Sequence, residues 1–210
     1  MFTGIVTGLG RITESRALGS DASHGKQLTI EVPTGYLDDV QLGDSIALNG
    51  ACMTVTNFDP AANRFTIDIS PESLDKTSGL TDSGPVNMEK AMRANDRLGG
   101  HMVSGHVDGI GTVTHFAPVG EDWRELRIAT PAELARFIAY KGSITVNGVS
   151  LTVNRVIDDS HGGCELSINL IPHTLENTTL GTLKAGQRVN LEIDLIARYV
   201  ERMLTAPKAS

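Results

Sequence analysis

One hairpin-like sequence occurs twice in this chain, and the repetition limits what the chain can fold into. The copies are Ser45-Ile-Ala-Leu-Asn-Gly-Ala-Cys-Met-Thr-Val55 and Ser143-Ile-Thr-Val-Asn-Gly-Val-Ser-Leu-Thr-Val153. Each sets two short β-prone runs around an Asn-Gly pair, Asn49-Gly50 and Asn147-Gly148. Asn-Gly accepts positive φ at both central positions and so suits a two-residue hairpin turn. The copies differ in one reactive position, where Cys52 in the first corresponds to Ser150 in the second.

The repeat extends in order along the chain. Met1-Phe-Thr-Gly-Ile-Val-Thr-Gly-Leu-Gly10 aligns with Met102-Val-Ser-Gly-His-Val-Asp-Gly-Ile-Gly111, and Leu28-Thr-Ile-Glu-Val-Pro33 with Leu126-Arg-Ile-Ala-Thr-Pro131. Ile67-Asp-Ile-Ser-Pro-Glu-Ser-Leu74 aligns with Ile168-Asn-Leu-Ile-Pro-His-Thr-Leu175, and Val86-Asn-Met-Glu89 with Val189-Asn-Leu-Glu192. Two domains of about 100 residues follow from this, spanning 1–97 and 98–193, with the polar, Gly-containing stretch Arg93 to Gly100 at the junction. Each unit reads as about six short strands, since alternation is clear in Leu28-Thr-Ile-Glu-Val32 and Phe65-Thr-Ile-Asp-Ile69. Closure into a small barrel removes exposed edges. The expected fold is mainly β: two tandem similar six-stranded Greek-key β-barrels with a C-terminal α-helix. Brief helices are expected at Thr34 to Val40 and Pro131 to Tyr140, the second with Thr130 as N-cap and Pro131 at N1. A tail helix over 194–206 opens on Asp194 and carries one apolar stripe of Ile196, Tyr199, Val200, Met203 and Leu204. That stripe suits self-association, or packing on its own barrel. Pro207-Lys-Ala-Ser210 reads as a disordered end.

Composition removes several functions. The net charge of -7 comes with no basic run, and aromatic residues are few, so neither a nucleic-acid groove nor a base-stacking platform is expected. No apolar run approaches the ~20 residues of a membrane span. The N-terminus lacks a secretory pattern, so Cys52 and Cys164 read as reduced thiols in a cytoplasmic protein.

The residues that could carry chemistry are those on which the twins differ. A free cysteine is usually a small buried hydrophobe, but the matching Ser150 is polar, which suggests a pocket lip at Cys52. His101 and His106 lie in Gly99-Gly-His-Met-Val-Ser-Gly-His-Val-Asp108. Their spacing does not suit a helical ligand pair and no cluster joins them, so no metal is expected. Either ring can move protons near neutral pH, and His106 stands where the first unit has Ile5. Asp194 matches Ala91; it can cap the tail helix, hold a polar ligand chain, or both. Lys141 is by default a surface residue. Gly4 and Gly105 are matched and suit close backbone approach. Phe2, at the extreme terminus, needs an apolar slot.

Taken together, Met1-Phe-Thr-Gly-Ile-Val6, Asn49-Gly-Ala-Cys-Met-Thr-Val-Thr56, Gly99-Gly-His-Met-Val-Ser-Gly-His-Val107, Asn147-Gly-Val-Ser-Leu-Thr-Val153, Leu170-Ile-Pro-His-Thr-Leu175 and Thr178-Thr-Leu-Gly181 resemble the riboflavin synthase alpha-chain family over nearly the whole chain. The resemblance implies a homotrimeric transferase of the last step of riboflavin biosynthesis. Two molecules of 6,7-dimethyl-8-ribityllumazine dismutate, one giving four carbons to the other, with no external cofactor. It also raises a complex with lumazine synthase, whose shell encloses some relatives. In the family each competent site joins the N-terminal barrel of one subunit to the C-terminal barrel of another.

The implied N-terminal pocket comprises Cys52, Met53 and Thr54 with Asp68, Ile69, Ser70, Pro71, Glu72 and Ser73, closed by Gly105, His106, Val107 and Lys141. The implied C-terminal pocket comprises Ser150, Leu151 and Thr152 with Asn169, Leu170, Ile171, Pro172, His173 and Thr174, closed by Gly4, Ile5 and Val6. Phe2, Ser45, Cys52, His101, His106, Ser150 and Asp194 are the implied catalytic set, with Asp194 as a ribityl anchor and Phe2 helping to hold the rings. In the expected mechanism a C7 methyl loses a proton, with His106 as the candidate base. The carbanion then attacks a second lumazine to which Cys52, a hydroxyl or water has added at C7. Ala51 stands where many members carry a second cysteine, and Ser70-Pro71 departs from the commoner pattern. One rival is a non-catalytic lumazine- or flavin-binding protein of the same fold, and Phe2, Cys52, His106, Ser150 and Asp194 together weigh against it. The other is a flavin-dependent oxidoreductase module, for which no nucleotide-binding domain follows.

Overall fold

A computed structural model describes residues 1–20 and 24–206; the expected disordered end at 207–210 lies outside the described residues. The first unit is a closed barrel. Its strands are β1 (Gly8–Ala17), β2 (Lys26–Glu31), β3 (Ser45–Leu48), β4 (Ala51–Asp59), β5 (Arg64–Ile69) and β6 (Gly84–Lys90), in the order β1-β2-β5-β4-β3-β6. Helix α1 (Pro71–Lys76) follows β5. The alternation dictates the inner face: Phe65, Ile67 and Ile69 of β5 are buried against Leu28 and Ile30 of β2 and Ile46 of β3.

The second unit repeats this with β7 (Gly109–Val119), β8 (Trp123–Thr130), α2 (Ala132–Ala135), β9 (Ser143–Val146), β10 (Val149–Thr152), β11 (Arg155–Asp158), β12 (Cys164–Leu170), α3 (Pro172–Asn177) and β13 (Arg188–Ile193). Its strand order is β10-β9-β13-β7-β8-β12-β11, a seven-stranded sheet instead of the six-stranded closed barrel expected. The difference has a local cause. In the first barrel β4 carries a register shift between Val55 and Asn57 but stays continuous. At the corresponding Val153 and Asn154 the ladder is interrupted, so one strand becomes β10 and β11. These two edges are therefore successive in the chain, and Asn154 N–H still donates to Ser167 at 2.8 Å. A bulge bends a strand in this way where a small barrel must turn a corner.

Two helix expectations are corrected. Residues 34–40 form successive tight turns, with Tyr36 N–H donating to Pro33 and Val40 N–H to Leu37. Gly35 has φ +83, outside helical geometry. The 131–140 stretch keeps only α2. Its N-cap is Pro131, not Thr130, because Thr130 is the last residue of β8 and its hydroxyl bonds the Cys164 carbonyl at 2.9 Å. In addition α1 and α3 are matched helices, each opening on proline directly after a core strand.

The two units meet across a local twofold relation. The Asn-Gly turns have the positive φ values expected of them, 46 and 87 at Asn49 and Gly50, and 46 and 80 at Asn147 and Gly148. They lie back to back: a Cβ on Gly50 would stand 2.8 Å from the Gly148 nitrogen, and one on Gly148 2.7 Å from that of Gly50. Four asparagines surround this contact. Asn87 Nδ2 donates to the Asn147 carbonyl at 2.8 Å, and Asn190 Nδ2 donates to that of Asn49 at 2.9 Å. The turn asparagines in return accept from the backbone N–H groups of Asn87 and Asn190. All four are buried, so each polar atom needs its partner.

At the other end of this interface two arms cross. Phe2 and Val103 exchange backbone hydrogen bonds of 2.8 and 3.1 Å. Each arm is fixed by a buried glutamate of its own unit. Glu89 accepts from Thr3 N–H and Oγ1 and from Gly4 N–H, and Glu192 accepts from Ser104 N–H and Oγ and from Gly105 N–H. Each arm then reaches over the other unit: Val6 packs on the second core and Val107 on the first. The last element, α4 (Leu195–Thr205), is capped by Asp194, whose side chain accepts from Ile196 N–H at 2.9 Å. Ion pairs Arg198–Asp108 and Arg136–Glu201 tie it to the second unit.

Candidate active site

The crossed arms create two related clefts. Strand β4 follows the first Asn-Gly turn, so Cys52 and Met53 come to the mouth of the first barrel. Ala51, Cys52 and Met53 line one wall of a cleft of about 270 Å³, and Glu72, Ser73, Lys76 and Thr77 of the α1 region line another. Gly105, His106 and Val107 of the second unit's arm close it. The closure is direct, since Cys52 N–H donates to the Gly105 carbonyl at 2.8 Å. Cys52 is partly exposed. His106 is exposed at the edge of this cleft.

The second cleft, of about 390 Å³, is lined by Ser150, Leu151 and Thr152 on β10, Asn154 behind them, Asn169 and Ile171 at the end of β12, Thr174 of α3, and Trp123. Here the arm contact is Ser150 N–H donating to the Gly4 carbonyl at 2.7 Å.

A buried histidine backs the wall of the second cleft. His101 Nδ1 lies 2.7 Å from Ser150 Oγ, and Nε2 lies 3.4 Å from Thr145 Oγ1. The ring is anchored through its backbone, which donates to the Thr3 carbonyl at 3.1 Å. Only glycine fits before it, because a Cβ on Gly100 would stand 2.2 Å from the Thr3 carbonyl oxygen and 2.8 Å from Ser150 Oγ. Burial holds the His101 imidazole below its ordinary pKa, and the negative charge of Asp194 partly opposes that. A neutral imidazole against a hydroxyl can accept its proton, the pairing that activates hydroxyl nucleophiles.

The remaining expected site residues fall in several places. Phe2 is fully buried between the units with Ala47 and Val103, and Cys52 packs on that cluster. It therefore supports the floor under Cys52. Ser45 pairs with Thr54 in the β3–β4 ladder, and its carbonyl accepts from Ala91 N–H. Thr54 is not among the cleft-lining residues, Asp68 bonds Gln27 on the outer surface, and Ile69 is in the core. Ser70 caps α1 by accepting from Ser73 N–H, with Pro71 in its first turn. Leu170 is core, whereas Pro172 and His173 do not line the second cleft. Ile5 lines a separate groove beside Glu89 and Arg97. Lys141 does not join the first cleft of its own chain; its Nζ donates to Asn154, a wall residue of the second. Sequence reasoning missed Lys76 and Thr77, one turn beyond the expected segment, and also Asn154 and Trp123. A lone tryptophan in the Gly120-Glu-Asp-Trp123 turn, outside any apolar alternation, was an available signal. Among the described residues no group of three or more His, Cys, Asp or Glu could hold a metal.

The sequence model of the Lumazine binding domain matches residues 3–91 and again 104–194. A riboflavin synthase of Actinobacillus pleuropneumoniae is 44% identical over 97% of this chain and 90% of its own. The chain belongs to the riboflavin synthase family. Other members give similar values: that of Mycobacterium tuberculosis is 44% identical over 97% of this chain and 98% of its own, and that of Bacillus subtilis 42% over 97% and 90%. Among solved structures, LumP complexed with riboflavin aligns over 92% of this chain and 99% of its own, with a TM-score of 0.78 and 30% identity. LumP complexed with 6,7-dimethyl-8-(1'-D-ribityl) lumazine aligns over 91% and 98%, with a TM-score of 0.76 and 27% identity. At that coverage the alignments span both units.

Proposed function

We propose that this chain is a riboflavin synthase, converting two molecules of 6,7-dimethyl-8-ribityllumazine into riboflavin and 5-amino-6-ribitylaminouracil. The observation that carries the reading is the pair of related clefts with unequal chemistry, Cys52 and His106 lining one and Ser150, backed by the buried His101, lining the other. Two identical substrates with opposite roles require two sites of like shape and unlike reactivity. The atoms balance between the two lumazines, so no outside oxidant or carrier enters.

In this reading Ser150 Oγ adds at C7 of the lumazine in the second cleft while His101 Nδ1 takes the hydroxyl proton. His106 removes a proton from the C7 methyl of the lumazine in the first cleft, and the carbanion attacks C6 of the Ser150-bound lumazine. Elimination returns the proton from His101 to Ser150 Oγ, and cleavage of the two C–N bonds of that lumazine releases 5-amino-6-ribitylaminouracil as its four carbons close the new ring. Asp194 holds the ribityl chain while capping α4. Bringing two rings face to face can itself lower a barrier by ~7–11 kcal/mol in favourable cases. The facing clefts come from different copies of the chain, assembled as trimers through α4. The exposed stripe supports this: Met203 and Leu204 are 79% and 78% exposed, and no residue of the helix is buried.

The likeness to LumP favours a second reading, a lumazine-binding protein without turnover. One experiment separates the two. The purified chain is mixed with 6,7-dimethyl-8-ribityllumazine alone and followed by absorbance and fluorescence. One riboflavin formed for every two lumazines consumed establishes the dismutase; tight binding without riboflavin leaves only the binding protein.

A further inference from the structure

The two clefts also differ in an aromatic wall. Trp123 is the only tryptophan in the chain. It opens β8, lines the second cleft with Ser150, Leu151, Thr152 and Asn154, and belongs to neither barrel's core. It stays 47% exposed, although a side chain of this size normally gains most from burial. In the repeat Leu126 matches Leu28, so Trp123 stands where the first unit has Gly25. Among the described residues, the lining of the first cleft has no aromatic side chain except the His106 ring. A broad, half-exposed π-face on the wall of a cleft, present in one twin only, is suited to a flat heterocycle.

We propose that Trp123 is a substrate-binding residue of the second cleft, which orients the fused ring system bound there by stacking on it. The indole face is electron-rich and a pteridinedione or isoalloxazine is electron-poor, so offset stacking is favourable. Such stacking orients the ring plane without specifying its substituents. It thereby complements Ser150 and Asn169, whose polar groups can specify position along that plane. Stacking of a heterocycle on one aromatic side chain typically alters affinity about fivefold to a hundredfold. The inference rests on the assignment of this cleft to lumazine.

The test uses the full chain and riboflavin as a probe that does not turn over, read by flavin fluorescence, together with lumazine kinetics. Replacement Trp123→Ala is expected to weaken one class of flavin sites about tenfold and to raise KM for lumazine by more than kcat falls. Trp123→Phe is expected to recover most of both, and flavin binding should quench the single tryptophan emission of the unaltered chain. Wild-type affinity and KM in Trp123→Ala overturn the role of the ring, as does an equal loss in Ala and Phe variants that melt like the parent. Should Trp123→Ala unfold, Trp123→Gln supplies the same comparison at a half-exposed position. A parent chain that neither binds riboflavin nor consumes lumazine overturns the assignment of the cleft itself, a result distinct from any effect of Trp123.

Discussion

His101 and His106 lie five positions apart and have opposite surroundings. His106 is exposed at the lip of the first cleft, whereas His101 is buried and bonded to Ser150 of the second. Because burial lowers the His101 pKa, it should titrate below the ordinary value of about 6.5. The unfolded chain then binds the proton more readily than the fold does. The neutral ring therefore contributes full stability above about pH 6.5 and loses it as pH falls towards the depressed folded value. Histidine NMR on the folded chain checks this, and a His101 resonance titrating above 6.5 contradicts it. At the same scale, Ser150→Ala should lower riboflavin formation by about 10²-fold or more without altering oligomeric state, and should cost about 1–3 kcal/mol of stability because His101 Nδ1 loses its partner. The hairpins that carry Cys52 and Ser150 were legible in sequence, because Asn-Gly and β-branched runs are local signals. The Ser150–His101 bond was not, since it joins residues 49 apart that meet only once both units are folded.

At the scale of elements, the crossed arms depend on the two buried glutamates. Glu192→Leu leaves the N–H groups of Ser104 and Gly105 without acceptors, which should cost about 2–5 kcal/mol and release the arm that closes the first cleft. Urea unfolding gives the first quantity, and a KM rise larger than any found for surface Glu variants gives the second. Helix α4 is the other test. A chain ended after Asp194 keeps both barrels but loses the exposed stripe; it should run as a single copy on size exclusion and form no riboflavin. Retention of the parent's mass would remove α4 from assembly. The tail helix was readable because its cap and 3.6-residue periodicity lie within one segment. The 34–40 stretch was misread for the same reason in reverse: its apolar spacing is helix-like, but Gly35 at positive φ and the turn bonds after Pro33 decide the backbone.

At the scale of the whole molecule, two barrels become one body through the Asn-Gly turns and the asparagine quartet. Asn190→Leu removes donors to Asn49 and Ser78 and the acceptor used by Ser78 N–H, the first bond buried and the two to Ser78 partly buried. A loss of about 3 kcal/mol is expected on denaturant unfolding, together with weaker lumazine binding at both clefts, since their closing arms belong to opposite units. The sequence by itself determined the duplication, the paired hairpin turns, the barrel class and the inequality of Cys52 and Ser150, because each follows from local propensity or from direct comparison of the two halves. Tertiary structure alone decided that the arms exchange partners, that the second unit's fourth strand splits at Val153–Asn154, that His101 pairs with Ser150, and that Trp123 faces a cleft. Those outcomes depend on close packing and hydrogen-bond satisfaction between segments far apart in the chain, which no local pattern encodes.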